Sequence, residues 1–258
     1  MQNFDIKDLQ VLYEDNHIIV VVKPAGIPSQ SDKTNDLDML SIVKEYVRVK
    51  ENKPGDAYIG LVHRLDRPTG GVMVFAKTTK AASRLSEELK DGRMSKKYLA
   101  VTCSEPKEKI GKLEHYLKKN AAQNIVKVVP MLTEGAKRAE LDYSVIETVQ
   151  GFSLVKVQLY TGRSHQIRVQ MSTIGCPLFA DIKYGADPRT AKHNLGLWAT
   201  ELRLEHPTTH KVMTFIAYPP TDEIPWKPFD IARHLNVGIA VSPYEQFVSK
   251  APLDIDEK

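Results

Sequence analysis

Apolar residues occur in blocks whose spacing alternates between two-residue and helical periods. The stretch QVLYEDNHIIVVVKP holds two apolar runs parted by Glu14-Asp15-Asn16. Turn-forming side chains between β-branched runs predict strand, turn, strand. In DMLSIVKEYVRVK the apolar positions Leu40, Val43 and Val47 recur at helical spacing, with Asp38 as N-cap. Residues 51–60 form a polar loop, and VMVFAKT is a strand. TKAASRLSEELKDG sets Ala82, Leu85 and Leu89 on one helical face, with Thr79 as cap and Gly92 as stop. KKYLAVTC is a strand, followed by a lysine-rich, poorly periodic segment to about residue 138. AELDYSVIETVQGFSLVKVQLYT predicts a hairpin turning near Gln150-Gly151. SHQIRVQMSTIG predicts a short helix capped by Ser164 and stopped at Gly175. LGLWATELRLEHPTTHKVMTFIAYPP predicts a second hairpin around HPTTH.

Strands in neighbouring pairs outnumber helices and do not alternate with them. The expected class is therefore α+β, a mainly antiparallel mixed sheet with flanking helices. Nothing divides residues 1–219, which are expected to form one domain. The Pro-rich, then acidic stretch 220–258 reads as a C-terminal extension.

Composition changes this picture in three respects. No apolar run approaches eighteen residues and the start, MQNFDIKDLQ, is acidic and polar, so neither a spanning helix nor a secretory signal is expected. Cys103 and Cys176 stand far apart without metal-type spacing, so a reduced, cytoplasmic setting without disulfides is expected. The net charge of +4 is unevenly spread. Residues 221–258 hold seven acids and four bases, a balance of −3, which leaves +7 for the rest. Residues 93–119 hold eight bases and three acids, a balance of +5. A basic body suits a polyanion, although lysine-rich surfaces are also common without one.

Three segments carry candidate chemistry. HRLDRPTGG places Asp66 between Arg64 and Arg67 on backbone that Pro68, Gly70 and Gly71 keep out of a helix. In extended geometry Arg64 points the same way as Asp66 and would keep the carboxylate ionised, ready to act as nucleophile or base. A surface salt bridge in a turn accounts for the same residues. TGRSHQIRVQ sets Ile167, Met171 and Ile174 on a buried stripe, with His165 and Arg168 on the adjacent face and Arg163 just before the helix. Such cations around a helix start suit an anion. An amphipathic helix with solvated arginines is the alternative. RMSKKYLAV places cations, including Lys96 and Lys97, before Tyr98 at a strand start. That ring is either core or a platform for a base. His206 and His210 have metal-like spacing but bracket a turn without a third ligand. With no phosphate loop or dinucleotide fingerprint, no cofactor and no metal are expected.

HRLDRPTGGVMVFAKT resembles the central motif of the RluA-type pseudouridine synthases. VVVKPAGIPSQ, KKYLAV, TGRSHQIRVQMSTIGCPLFADIKYG and LRLEHP resemble further motifs of that family, in family order, between about residues 11 and 219. The resemblance implies the pseudouridine synthase catalytic fold and a cofactor-free isomerisation of uridine in rRNA or tRNA, with the base flipped out. It implies that Asp66 is the catalytic aspartate, Tyr98 packs on the target uracil, Arg168 pairs with Asp66, and Arg64 helps fill the gap left by the base. His63, Arg163, His165 and Gln166 match motif positions of less defined role, and with Arg64, Arg67, Lys96 and Lys97 they are candidate RNA contacts. The chain departs from the pattern at Val22, Gly70, Cys176 and Ala180, where asparagine, serine, histidine and glycine are usual. These departures put substrate fit in question. The resemblance is to short members without an RNA-binding head domain. The expected partner is RNA, with no membrane, for a cytoplasmic monomer. Two other readings stay open here. One is a non-catalytic RNA-binding or RNA-folding protein on the same scaffold. The other is a glycosidase, which would need a second carboxylate near Asp66.

Overall fold

Residues 4–32, 34, 36–52, 54–236 and 245–248 are described by a computed structural model. Along the chain run β1 (Val11–Glu14), β2 (Ile18–Lys23), α1 (Met39–Lys50), β3 (Gly60–Leu61), β4 (Gly70–Ala76), α2 (Thr79–Lys90), β5 (Ser95–Thr102), β6 (Ile110–Asn120) and β7 (Ile125–Val129). There follow β8 (Lys137–Val149), β9 (Phe152–Leu159), α3 (Gln166–Thr173), β10 (Leu197–Glu205), β11 (Val212–Ile216), α4 (Ile231–Asn236) and β12 (Glu245–Val248). The main sheet path is β1-β2-β4-β10-β5-β9-β8-β6-β7, with β3 on β4, β11 on β10 and β12 on β11. Pairing is antiparallel except for β4 with β10 and β11 with β12. The fold is the expected α+β class.

The unbroken apolar runs of β2 and β4 have a simple cause: both faces of the sheet are covered. Ile19, Val21, Met73 and Phe75 enter one core with Met39, Ile42 and Val43 of α1 and Ile167 and Met171 of α3. Ile18, Val20, Val72 and Val74 enter the other, with Ala81 and Leu85 of α2. Continuous apolar strands mark such doubly covered sheets. The turn between β8 and β9 falls at Gln150 (φ 51°) and Gly151 (φ 83°), both left-handed, as a tight hairpin turn requires.

Four features differ from expectation. Thr78, not Thr79, caps α2 by accepting from the Ala81 amide at 3.1 Å. His165, not Ser164, precedes α3, in left-handed geometry and without a side-chain cap. The lysine-rich stretch expected to be irregular forms β6 and β7. Its only buried apolar side chains are Leu113, Leu117 and Val126, and lysines fill outward positions, as suits an edge. Beyond residue 219, Trp226, Phe229 and Ile231 join the second core, packing that the Pro-rich composition did not announce. Among the described residues no helix is long and apolar enough to cross a membrane.

Candidate active site

Two glycines set the position of Asp66. Gly70 and Gly71 pair with Trp198 and Ala199 where β4 meets β10. A Cβ on Gly70 would lie 2.1 Å from the Trp198 ring, and one on Gly71 would lie 2.2 Å from the Ala199 carbonyl oxygen. Gly71 also has φ +121°, which glycine alone adopts readily. This close approach brings the loop before β4 against β10. On the other edge of β10, Ala199 pairs with Tyr98 of β5. Asp66 and Tyr98 therefore meet across one strand. β9, the next neighbour of β5, runs out at Leu159 toward α3, which carries His165 and Arg168 to the same end of the sheet.

The turn itself is braced from below by the Lys-Pro-Ala-Gly segment. The buried Lys23 ammonium donates to the carbonyls of Pro24 (3.0 Å), Arg67 (3.0 Å) and Thr69 (2.8 Å). Ser29 Oγ donates to the Leu65 carbonyl at 2.8 Å and accepts from its amide at 3.1 Å. The Gly26 amide donates to the Arg67 carbonyl at 2.9 Å. Burial pushes the Lys23 pKa down to about 7, against the pull of the Asp66 charge.

The Asp66 carboxylate is partly open to the cleft. Its nearest basic groups are the Arg168 guanidinium, with Nη1 at 3.5 Å from Oδ2, and the His165 imidazole, with Nε2 at 3.9 Å. Arg64 is exposed on the cleft wall, and no ion pair joins it to Asp66, so the guanidinium beside the carboxylate is Arg168 instead. Arg168 is held by Asp181 through Nε and Nη2, both at 2.7 Å, and lies 5.2 Å from the Tyr184 ring centre. Burial opposes the charge of Arg168, but the Asp181 hydrogen bonds prevail and its pKa is raised. His165 Nδ1 lies 2.7 Å from the Tyr184 hydroxyl, which accepts from the Val126 amide at 2.9 Å. Burial lowers the His165 pKa although Asp66 resists.

Tyr98 is buried, and burial together with Asp66 raises its pKa, so the phenol stays protonated. His63 is buried with Nε2 accepting from the Val74 amide at 3.1 Å, and burial drives its pKa down to about 3. Gln166 is spent on structure. Its Oε1 accepts from Thr161 Oγ1 (2.7 Å) and the Arg163 amide (3.0 Å), and its Nε2 donates to the Glu140 carbonyl (3.0 Å). Arg163 is exposed at the rim, with Nε donating to the Arg138 carbonyl at 2.9 Å. Arg67 is bound by Asp36 and Asp32. Lys96 lines the cleft, whereas Lys97 lies on the opposite face of β5 and pairs with Glu201 at 2.6 Å.

The cleft has a volume of about 1030 Å³ and a basic wall that includes Lys119 and Lys183, neither singled out by the sequence. Lys23, Asp181 and Tyr184 were also missed as site residues. Each lies in a stretch that resembles a family motif, VVVKPAGIPSQ for Lys23 and GCPLFADIKYG for Asp181 and Tyr184, and that was the signal for them. Chemically, the site offers a carboxylate open to the cleft, a protonated phenol beside it and surrounding basic groups.

Residues 17–173, which contain Asp66, Tyr98 and Arg168, match the family model described as RNA pseudouridylate synthase. The chain is 33% identical over 221 residues to ribosomal large subunit pseudouridine synthase C of Escherichia coli (strain K12), covering 83% of this chain and 66% of that protein. It is 31% identical over 215 residues to the protein of the same name from Vibrio vulnificus (strain CMCP6), covering 81% and 65%. The chain thus spans just under two thirds of the length of these relatives. Among solved structures, human RNA pseudouridylate synthase domain containing 1 superposes with a TM-score of 0.67 at 24% identity, covering 85% of this chain and 87% of that one. Human RNA pseudouridylate synthase domain containing 4 gives 0.65 at 24%, covering 76% and 84%. At that identity the likeness establishes a shared fold. With the family match across more than half its length, this chain belongs to the RNA pseudouridylate synthase family.

Proposed function

We propose that this protein is an RNA pseudouridine synthase, an isomerase that breaks the N1–C1′ bond of a uridine and rejoins the sugar at C5. The observation that carries the proposal is the Asp66 carboxylate, set beside Arg168 and open to a basic cleft next to Tyr98. The reaction redistributes bonds within one nucleotide, so its balance calls for no redox partner or group donor. Asp66 acts as the nucleophile toward C1′ or C6, or as the base toward the C2′ proton. Arg168, 3.5 Å away, orients it. Tyr98 gives the uracil a flat apolar surface and holds a proton within the site. A uracil in a stack cannot reach Asp66, so the target must be flipped out.

The relatives' names support large-subunit ribosomal RNA as substrate and with it a cytoplasmic location; a monomer is part of the same proposal. Residues 1–219 form the catalytic unit in this reading, with Trp226–Ile231 as a buttress. The test is pseudouridine mapping of total RNA with and without the gene. One or a few positions should lose the modification. They should regain it with the wild-type chain and not with a folded Asp66→Asn variant. An active Asp66→Asn enzyme would overturn the assignment.

A further inference from the structure

Lys96 differs from the other cations around the site. It lies on β5 two residues before Tyr98, on the same face, and lines the cleft. Burial pushes its pKa down, and no acid pulls the other way. Arg64 and Lys119 on the same cleft wall are exposed to solvent, and the other neighbouring cations are engaged. Lys97 has Glu201, Arg67 has Asp36, Arg168 has Asp181, Lys183 has the Asn124 carbonyl, and Lys23 has three carbonyls. The Lys96 ammonium has no hydrogen bond or ion pair among the described residues. Its only charged or polar influence is on His63, which is neutral and would not repel an anion. The backbone of Gly162 runs past the amine. A Cβ there would lie 3.4 Å from Nζ, which places the amine beside the Gly162 backbone at the cleft surface.

A desolvated ammonium without a partner costs free energy in the resting protein. The cost is recovered when a ligand supplies the missing anion. Two residues along a strand span roughly 7 Å. That is the scale on which a base resting on Tyr98 would present the phosphate of its own backbone. We infer that Lys96 anchors a phosphodiester flanking the flipped uridine, by hydrogen bonding to a non-bridging oxygen. The inference rests on the proposed RNA substrate and adds which contact fixes the target nucleotide along the cleft.

The experiment compares wild type, Lys96→Met and Lys96→Arg on large-subunit ribosomal RNA extracted from cells lacking the gene. Turnover and equilibrium binding are measured across a salt series, and thermal stability is measured without RNA. Lys96→Met should lose about ten- to a hundred-fold in kcat/KM, mostly through KM. Its dependence of log kcat/KM on log salt should flatten by about 0.7–0.9, the value of one phosphate contact. Lys96→Arg should keep most of the activity. Lys96→Met should melt no lower than wild type, since it removes an unpaired buried charge. A Lys96→Met enzyme with normal kcat/KM overturns this inference alone. So does a loss with an unchanged salt slope, which would mean a contact to a neutral uracil carbonyl. A wild type that neither binds nor modifies this RNA removes the substrate reading and the inference with it.

Discussion

Asp181 holds Arg168 by two hydrogen bonds of 2.7 Å, from Nε and Nη2, at a point closed to solvent. One side of the guanidinium is thus spent, and Nη1 is left for Asp66 at 3.5 Å. This arrangement argues against two carboxylates flanking a scissile bond. Asp181 orients the cation and has no free face toward a substrate. Asp181→Asn keeps the shape but removes the charge, leaving Arg168 with Asp66 as its remaining acidic neighbour. Breaking one side of a buried pair costs on the order of 3–5 kcal/mol. The variant should show a urea midpoint lowered accordingly, and kcat should fall with little change in RNA affinity. A variant with wild-type kcat would show that Asp181 does not position Arg168 for the reaction.

Much of this site was legible because its reacting groups sit in short segments with strong local character. Asp66 stands in a Pro-Gly turn, Tyr98 begins an apolar strand, and Arg168 falls on a helix beside a buried stripe. What holds them in place was not legible. Asp181 and Tyr184 lie in an irregular stretch after α3, where no period exists to betray burial. Lys23 hides at the end of an apolar strand, and only the three carbonyls gathered by the fold explain it. The two misplaced caps, Thr79 and Ser164, are each one residue from the true boundary, because neighbouring residues have similar capping chemistry. At α3 the left-handed His165 takes the cap position so that its ring can meet Tyr184 and Asp66. β6 and the edge strand β7 were missed because, at this end of the sheet, outward positions carry lysine where inner strands carry valine.

Lys23 should matter for rate more than for binding. Its ammonium ties the Pro24 carbonyl to those of Arg67 and Thr69 in the turn that follows Asp66, and only a charged amine has three protons to give. Lys23→Met removes those ties while keeping the volume. The carbonyls of Arg67 and Thr69 would lose their donor and the turn would shift. A displacement near 1 Å at a reacting group costs about a hundred-fold in rate. Single-turnover kinetics should show that loss in the chemical step, with the RNA Kd within a few-fold of wild type. A loss confined to Kd would contradict the bracing role.

His63 makes the fold sensitive to acid. It is a neutral acceptor for the Val74 amide, with a folded pKa of about 3 against an ordinary value of 6.5. Between those values the unfolded chain binds the extra proton and the folded chain does not. The stabilisation is therefore whole above pH 6.5 and drains away as pH falls toward 3. The slope approaches about 1.4 kcal/mol per pH unit for one group. His63→Gln retains an acceptor but cannot titrate. Denaturant melts from pH 7 to pH 4 should show a shallower fall for His63→Gln than for wild type. Parallel curves would mean that His63 is not the titrating group.

Gly70 occupies a position where the family pattern has serine, and Trp198 explains the exchange. The indole ring fills the space that a Cβ at residue 70 would need, and its Nε1 donates to the Ala217 carbonyl at 3.1 Å. Gly70→Ser should therefore destabilise the protein by about 1–3 kcal/mol through overpacking. Trp198→Leu should also destabilise it, by a lost hydrogen bond and an unfilled volume. The two changes share one space, so together they should cost less than their sum, with a coupling of roughly 1 kcal/mol or more. Because Gly70 pairs with Trp198 at the foot of the Asp66 loop, the same coupling should appear in kcat: the single serine variant slow, the double variant partly restored. Additive stabilities in the four-member cycle would show that the ring and residue 70 do not compete. The departure at Gly70 would then have to be explained by the RNA instead of the core.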